Sequence, residues 1–277
     1  MSVPVPRVSN YRQTEIIALL RQSGRVGVED LAQQFGVTLQ TIRRDLNELS
    51  EAHLLVRVHG GAITASGVAN LAYESRQFVA QAQKQQIGEA AARLIPDNAS
   101  LFINIGTTTE EVAKALAGHS GLLVITNNLH VANELHRNKS IEMIVTGGSI
   151  RQSDGGIVGA VTVAQIEQFR VDIAVIGTSA IDPNGTLLDF DVREVEISRA
   201  IINHARKIML VADSSKFSRS APVRIAHLSE IDIFVTDTLP SPAIADMCQR
   251  CEVTVVETGS PDEADSADLP GRATINS

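Results

Sequence analysis

The sequence predicts an α/β chain in two parts, a small helical head followed by a larger domain around a mostly parallel sheet. Three observations predict it. Short amphipathic helical patterns fill the region up to Leu49. From Leu101 onward, short apolar runs rich in β-branched residues alternate with helix-length segments. A stretch of small and polar residues lies between, and 277 residues leave room for a second core beyond the head.

In the head, Tyr11 to Gln22 reads as a first helix with Ile16, Ile17 and Leu20 inward and Arg12 and Arg21 outward. Val28, Leu31, Ala32 and Phe35 describe a second helix, and Gly36-Val37 makes a tight turn. A third helix, Thr38 to Leu49, has two faces. Leu39, Ile42, Leu46 and Leu49 form an apolar stripe; Gln40, Arg43 and Asn47 form the opposite row, flanked by Thr41 and Arg44. Such exposed side chains grip phosphates and read base edges in a major groove. Leu54 to Ile63 then reads as strand, glycine turn, strand, a wing whose Arg57 and His59 sit where DNA backbone would pass. Gly60-Gly61 supplies positive φ for a tight hairpin, or room for a phosphate to approach. The alternative is a three-helix module with merely solvated arginines, and the wing argues against it. Residues 1–62 are therefore expected to be a winged helix-turn-helix bound to double-stranded DNA through Thr38, Gln40, Thr41, Arg43, Arg44, Asn47, Arg57, His59, Gly60 and Gly61.

Overall charge argues the other way at first, with 24 Lys+Arg against 32 Asp+Glu. The placement is uneven: residues 1–62 carry a net of +1 and the remainder −9 of a total of −8. An acidic body repels DNA except where arginines are focused, which limits non-specific binding. No apolar run reaches transmembrane length and the start lacks a signal peptide's apolar core, so a cytoplasmic protein is expected. Cys248 and Cys251 lie late in a predicted helix without a second ligand pair, so reduced thiols, no metal and no cofactor are expected.

Residues 63–83 read as a linker and 84–257 as the second domain, while the small and acidic residues 258–277 have little to bury and are expected to be disordered. Ile87, Ala91 and Leu94 mark a helix ending at Pro96. Seven strands follow: Leu101–Ile105, Leu122–Ile125, Ile141–Val145, Val171–Ile176, Ile208–Val211, Ile231–Val235 and Val253–Val256, with helices such as Thr109–Leu116, Leu129–Arg137 and Val192–His204 between them. The strands stop in small hydroxyl, amide and glycine residues, at the edge where α/β folds place ligands. Gly106-Thr107-Thr108 leads straight into a helix, whose free N–H groups and dipole favour a phosphate. From spacing alone a plain helix cap explains those residues equally well. Lys216 adds positive charge, and Glu194, Asp154 and Asp213 supply acceptors for hydroxyls. Their convergence on one sheet edge points to a small phosphorylated polyol.

Taken together, these residues resemble the DeoR family of bacterial transcription regulators. Its signature is a winged helix-turn-helix containing Thr-Ile-Arg-Arg-Asp-Leu and ending in Arg-x-His-Gly-Gly-Ala, here Thr41–Leu46 and Arg57–Ala62. Further matching blocks are Leu101–Thr108, Ile125–Asn133, Asp154–Gly159, Gly185–Asp191 and Ala212–Arg219, and the likeness runs to about Glu257. The resemblance implies a sugar-phosphate sensor related in fold to ribose-5-phosphate isomerase, operator DNA as partner and a tetrameric homo-oligomer. It further implies a repressor of glycerol-metabolism genes released by glycerol-3-phosphate. Gly106, Thr107 and Thr108 would hold the phosphate, with Gly147 and Gly148 lining the site and Asp154, Glu194, Asp213 and Lys216 forming its polar cluster. Two departures from the family pattern are Ala52-His53 in place of a glycine before the wing, and Val192 where relatives carry an aromatic residue. Glu194, Asp213 and Lys216 are also the residue types of an isomerase or CoA transferase. A metabolic enzyme needs no DNA-binding head, so catalysis is not expected.

Overall fold

The computed structural model describes residues 11–23, 25–51, 54–58, 60–64 and 73–259. The predicted tail beyond Gly259, the Ala52-His53 turn and His59 at the wing tip lie outside the described residues. The head comprises α1 (Tyr11–Ser23), β1 (Arg25–Gly27), α2 (Val28–Phe35), α3 (Leu39–Glu51), β2 (Leu55–Val58) and β3 (Gly61–Thr64). Its core is the apolar face of each helix plus one wing strand: Ile16, Leu20, Leu31, Ile42, Leu46, Leu49 and Leu55. Gly36, at φ 63°, ends α2 in the left-handed conformation that suits glycine, and the N–H of Val37 returns to the Ala32 carbonyl at 3.1 Å. That turn sets α3 across α2.

Two local readings are corrected here. Leu39 opens α3 40% exposed, and the buried residue added to its inner face is Asp45. The unpredicted β1 pairs antiparallel with β3, so the wing is a three-stranded sheet in the order β1-β3-β2. The two wing glycines therefore answer different demands. Gly60 turns the hairpin at φ 79°, whereas a Cβ on Gly61 would lie 2.1 Å from the Val26 carbonyl. Strand β3 also carries the wing two residues into the segment read as a linker, and the later part of that segment is helical: α4 (Tyr73–Phe78) and the start of α5 (Gln81–Arg93).

The second domain follows the alternation read from the sequence: β4 (Ser100–Ile103), α6 (Thr107–Ala115), β5 (Leu122–Thr126), α7 (Leu129–Leu135) and β6 (Ile141–Val145). After a hairpin of β7 (Ser149–Ile150) and β8 (Ile157–Val158) come α8 (Ala160–Ile166) and β9 (Val171–Ile176). Then follow β10 (Ala180–Ile181), β11 (Thr186–Asp189), α9 (Val192–Asn203), β12 (Ala205–Val211), β13 (Val223–His227), β14 (Ile233–Thr236), α10 (Pro242–Arg250) and β15 (Thr254–Glu257). The seven predicted strands form one sheet in the order β15-β14-β12-β9-β4-β5-β6, every pairing parallel.

Alternation along β4 shows why both faces are covered: Leu101 and Ile103 pack with Ile87, Val112 and Val131, while Phe102 packs on the opposite side with Ala174, Ile197 and Phe234. Ile87 and Ala91 are buried on α5, while Leu94 caps the helix at 41% exposure. The small antiparallel sheet β10-β11-β13 was not predicted. No helix among the described residues is long and apolar enough to cross a membrane.

Candidate functional site

On the head, Gln40, Arg43, Arg44 and Asn47 are exposed along α3 and Thr41 is half-buried, so the predicted row stands on one face. Thr38 does a local job, its hydroxyl accepting the Thr41 N–H at 3.2 Å and capping α3. Arg12 is not outward. Its Nε donates to Asp45 Oδ2 at 2.5 Å and its second amino group to Oδ1 at 3.1 Å, while Gln13 Nε2 donates to Glu48 Oε2 at 2.7 Å. These bonds brace α3 against α1 and fix the angle at which the exposed row is presented. Arg44 Nε donates to Glu48 Oε1 at 2.9 Å. Arg43 thus remains the exposed cation of the row without a side-chain partner among the described residues. Arg57 is half-buried on β2. Gly61 is buried, so as a DNA contact it is corrected: it admits β1.

In the sheet, the chain steps from β4 to β5 to β6 on one side, then returns past β4 to β9 and on to β12, β14 and β15. The connections that leave the carboxyl ends of β4 and β9 part to opposite sides at this reversal and leave a crevice, the place where open α/β sheets bind ligands. A small polar cleft lies there. Gly106, Thr107 and Thr108 after β4 form one wall and Gly177, Thr178 and Ser179 after β9 the other, with Asp189, Glu194, Lys216 and Arg76 around them.

Gly106, at φ 154°, turns the chain into α6, whose first N–H groups face no preceding helical turn. Thr109 spends its hydroxyl on the Asn104 and Gly106 carbonyls, both at 2.8 Å. The hydroxyls of Thr107 and Thr108 have no hydrogen-bond partner among the described residues. Lys216 is buried in the wall, and burial pushes its ammonium down to about 7, with Asp213 opposing and Arg219, Lys84 and Arg76 reinforcing. Its closest carboxylate oxygen, Asp213 Oδ2, is 3.9 Å away. A buried cation held off its charged form beside free hydroxyls and helix N–H groups is suited to an anion. Glu194 moves the other way, raised to about 7 by burial and by Asp189, with Arg151 opposing.

Asp154 and Asp213 stand behind the walls. Asp213 caps the short 3-10 turn Ser214–Ser218, accepting the Ser215 N–H at 3.2 Å, and so orients Lys216. Asp154 accepts a fork from Arg151 at 2.8 and 2.6 Å, and Arg151 also donates to Glu194 Oε2 at 2.5 Å. Gly147 and Gly148 lie exposed just beyond the end of the edge strand β6, outside the residues that line this cleft. Their small size serves packing on α8, since the Gly147 N–H donates to Gln165 at 2.7 Å and a Cβ on Gly148 would lie 2.3 Å from the Thr162 hydroxyl. Val192 is 55% exposed and not among the lining residues, so that departure leaves the cleft as it is.

Four contributors were missed. Thr178 and Ser179 follow β9 in one of the small hydroxyl strand ends that mark the ligand edge. Asp189 ends an unpredicted strand, held there by the Ser179 hydroxyl at 2.9 Å. Arg76 sits in the polar stretch read as a linker.

A family model described as the DeoR-like helix-turn-helix domain matches residues 12–67, and one described as the DeoR C terminal sensor domain matches residues 79–238. The chain belongs to the DeoR family. It is a transcription regulator with a DNA-binding helix-turn-helix head and an α/β sensor domain. Among its relatives, the glycerol-3-phosphate regulon repressor of Haemophilus influenzae is 48% identical over 83% of this chain and 90% of its own length. The repressor of the same name from Escherichia coli is 45% identical over 84% and 92%. The HTH-type transcriptional repressor CsqR of Escherichia coli is 39% identical over 89% and 95%. Similar solved structures include ribose 5 phosphate isomerase A from Neisseria gonorrhoeae (14% identity, 49% of this chain and 53% of that one, TM-score 0.36). The Pyrococcus horikoshii translation initiation factor eIF-2B gives 16%, 80% and 84%, and 0.41. Similarity at those scores carries no functional argument.

Proposed function

We propose that this DeoR-family chain is a repressor of glycerol and glycerol-3-phosphate metabolism genes, bound to operator DNA through α3 and the wing and released when glycerol-3-phosphate enters the cleft. The observation that carries the effector class is the meeting of Thr107, Thr108 and the buried Lys216 at the sheet's point of reversal. Helix N–H groups and the two hydroxyls take the phosphate, Lys216 supplies the counter-charge, and Asp189 and Glu194 accept hydrogen bonds from the polyol. The relatives at 45% and 48% identity, named for the glycerol-3-phosphate regulon, support that metabolite within the class. Asp189, Glu194 and Lys216 bind and turn nothing over.

Release follows from linkage: the effector favours the conformation that holds DNA poorly, and a differential affinity of a few kcal/mol shifts occupancy substantially. One short recognition helix makes few base contacts, so the working form is a homo-oligomer that places paired heads on repeated half-sites in the cytoplasm. The test is a thermal-shift panel of the purified protein with glycerol-3-phosphate, glycerol and several sugar phosphates. A selective rise with glycerol-3-phosphate is expected, because a ligand of the folded state stabilises it by mass action. A rise with another sugar phosphate transfers the regulator to that metabolite, and no rise with any of them removes the cleft as the effector site.

A further inference from the structure

The helix α4 lies between the head and the sensor in the chain, yet its side chains are built into the sensor. The Tyr73 hydroxyl donates to Glu110 Oε2 at 2.6 Å, on the first turns of α6, and Gln77 Nε2 donates to that hydroxyl at 2.8 Å. The Tyr73 ring stacks on His130, with centroids 5.0 Å apart. From α5, the buried Lys84 ammonium donates to the Arg76 carbonyl. Arg76 itself lines the cleft beside Thr107, Thr108 and Lys216.

Its own hold there is loose. One amino group of Arg76 lies 3.5 Å from Asp154 Oδ2, whereas Arg151 makes bonds of 2.8 and 2.6 Å to the same carboxylate. The Arg76 Nε is buried with no hydrogen-bond partner among the described residues. Arg151 divides its fork among Asp154, Glu194 and Asp191, and it holds Asp154 in place; Arg76 adds one long contact to that carboxylate and presents an under-used planar fork at the wall of an anion site. Guanidinium forks match phosphate oxygens two at a time, which a point-like ammonium does not.

We propose that Arg76 is a phosphate-binding residue of the effector site, and that its exchange from Asp154 to the effector couples the cleft to the DNA-binding head. The proposal rests on the effector reading above. In sequence α4 is the next described element after the wing strand β3, so it is the first part of the sensor to follow the head. Tyr73 makes the same helix sensitive to α6, since Glu110 lies three residues after Thr107. Ligand contact and transmission then reside in one six-residue element.

The experiment uses the full chain: calorimetric titration of wild type, Arg76→Met, Arg76→Lys and Lys216→Met with glycerol-3-phosphate and with inorganic phosphate, beside gel-shift release from operator DNA. Arg76→Met is expected to weaken both ligands by about ten- to a hundredfold. Release from operator DNA by glycerol-3-phosphate should be lost in Arg76→Met, and Arg76→Lys should restore binding only in part. Wild-type affinity in Arg76→Met, with Lys216→Met impaired, overturns the role of Arg76 while the effector site stands. No phosphorylated ligand bound by wild type overturns both. Hydrogen exchange on the wild type covers the case of a variant that fails to fold: amides of residues 73–78 should change protection with glycerol-3-phosphate and not with glycerol. Unchanged protection with glycerol-3-phosphate contradicts the coupling.

Discussion

Burial acts against the Lys216 ammonium more strongly than Asp213 supports it and pushes it down to about 7. A bound phosphate dianion favours the charged form, so effector binding takes up a proton near neutrality. The sign is fixed: affinity falls as the pH rises above about 7. Glu194, raised to about 7, becomes negative across the same range and pushes in the same direction. Phosphate itself loses charge below about pH 6, so the tightest binding lies between the two. Calorimetry in buffers of different ionisation enthalpy should show proton uptake, and Lys216→Arg, which stays charged, should lose most of it. Uptake unchanged in that variant would move the titrating group elsewhere. On the head, Arg43 is the exposed cation of the α3 row, and Arg43→Ala is expected to weaken operator binding by about 1–3 kcal/mol and relax base preference in a gel-shift titration. Arg44, already bonded to Glu48, should cost less. Wild-type binding by Arg43→Ala would place recognition off this row.

At the scale of elements, two helices do the positioning. Helix α6 opens at Gly106 with two hydroxyls free and a third, on Thr109, committed to its own turn. Replacing Thr107 and Thr108 together by valine removes the free pair and keeps the β-branched shape. Effector affinity should fall by about tenfold or more while operator binding is untouched; a normal response to inducer would displace the phosphate from α6. Helix α3 depends on α1 through the Arg12 fork, and Arg12→Ala leaves Asp45 buried beside a missing cation. The head should lose about 1–3 kcal/mol, seen as an earlier unfolding phase in urea.

What was legible follows the same lines. The central parallel strands were readable because they are largely buried on both faces and read as continuous apolar runs, whereas the edge strands β6 and β15 are half-exposed and read from their β-branched residues. The strands β10, β11 and β13 were not, since two to five residues give no period to detect and β11 bulges between Leu187 and Leu188. That loss hid Asp189. Composition labelled residues 63–83 a linker, and nothing in a count of glutamines shows that Tyr73 meets Glu110. The Arg12–Asp45 pair was invisible for a related reason: the partners lie thirty-three positions apart, and Asp45 is a polar residue inside an apolar stripe.

At the scale of the molecule, a remainder carrying nine net negative charges follows a head of net +1. Binding to DNA must therefore come from focused contacts, and a modest effector-driven change in their placement is enough to release it. If the cleft and the α3 row are linked through one conformational equilibrium, the linkage is reciprocal. The factor by which effector weakens operator binding must equal the factor by which operator weakens effector binding, and couplings of this kind span about five- to 150-fold. Effector titrated into free protein, and into protein saturated with operator, gives one factor; operator titrated with and without saturating effector gives the other. Equal factors are expected for wild type, and both should shrink together toward one in Arg76→Met if α4 carries the change. An effector affinity indifferent to operator would mean that the sensor answers its ligand without governing the head, and repression would then have to be lifted by something other than the cleft.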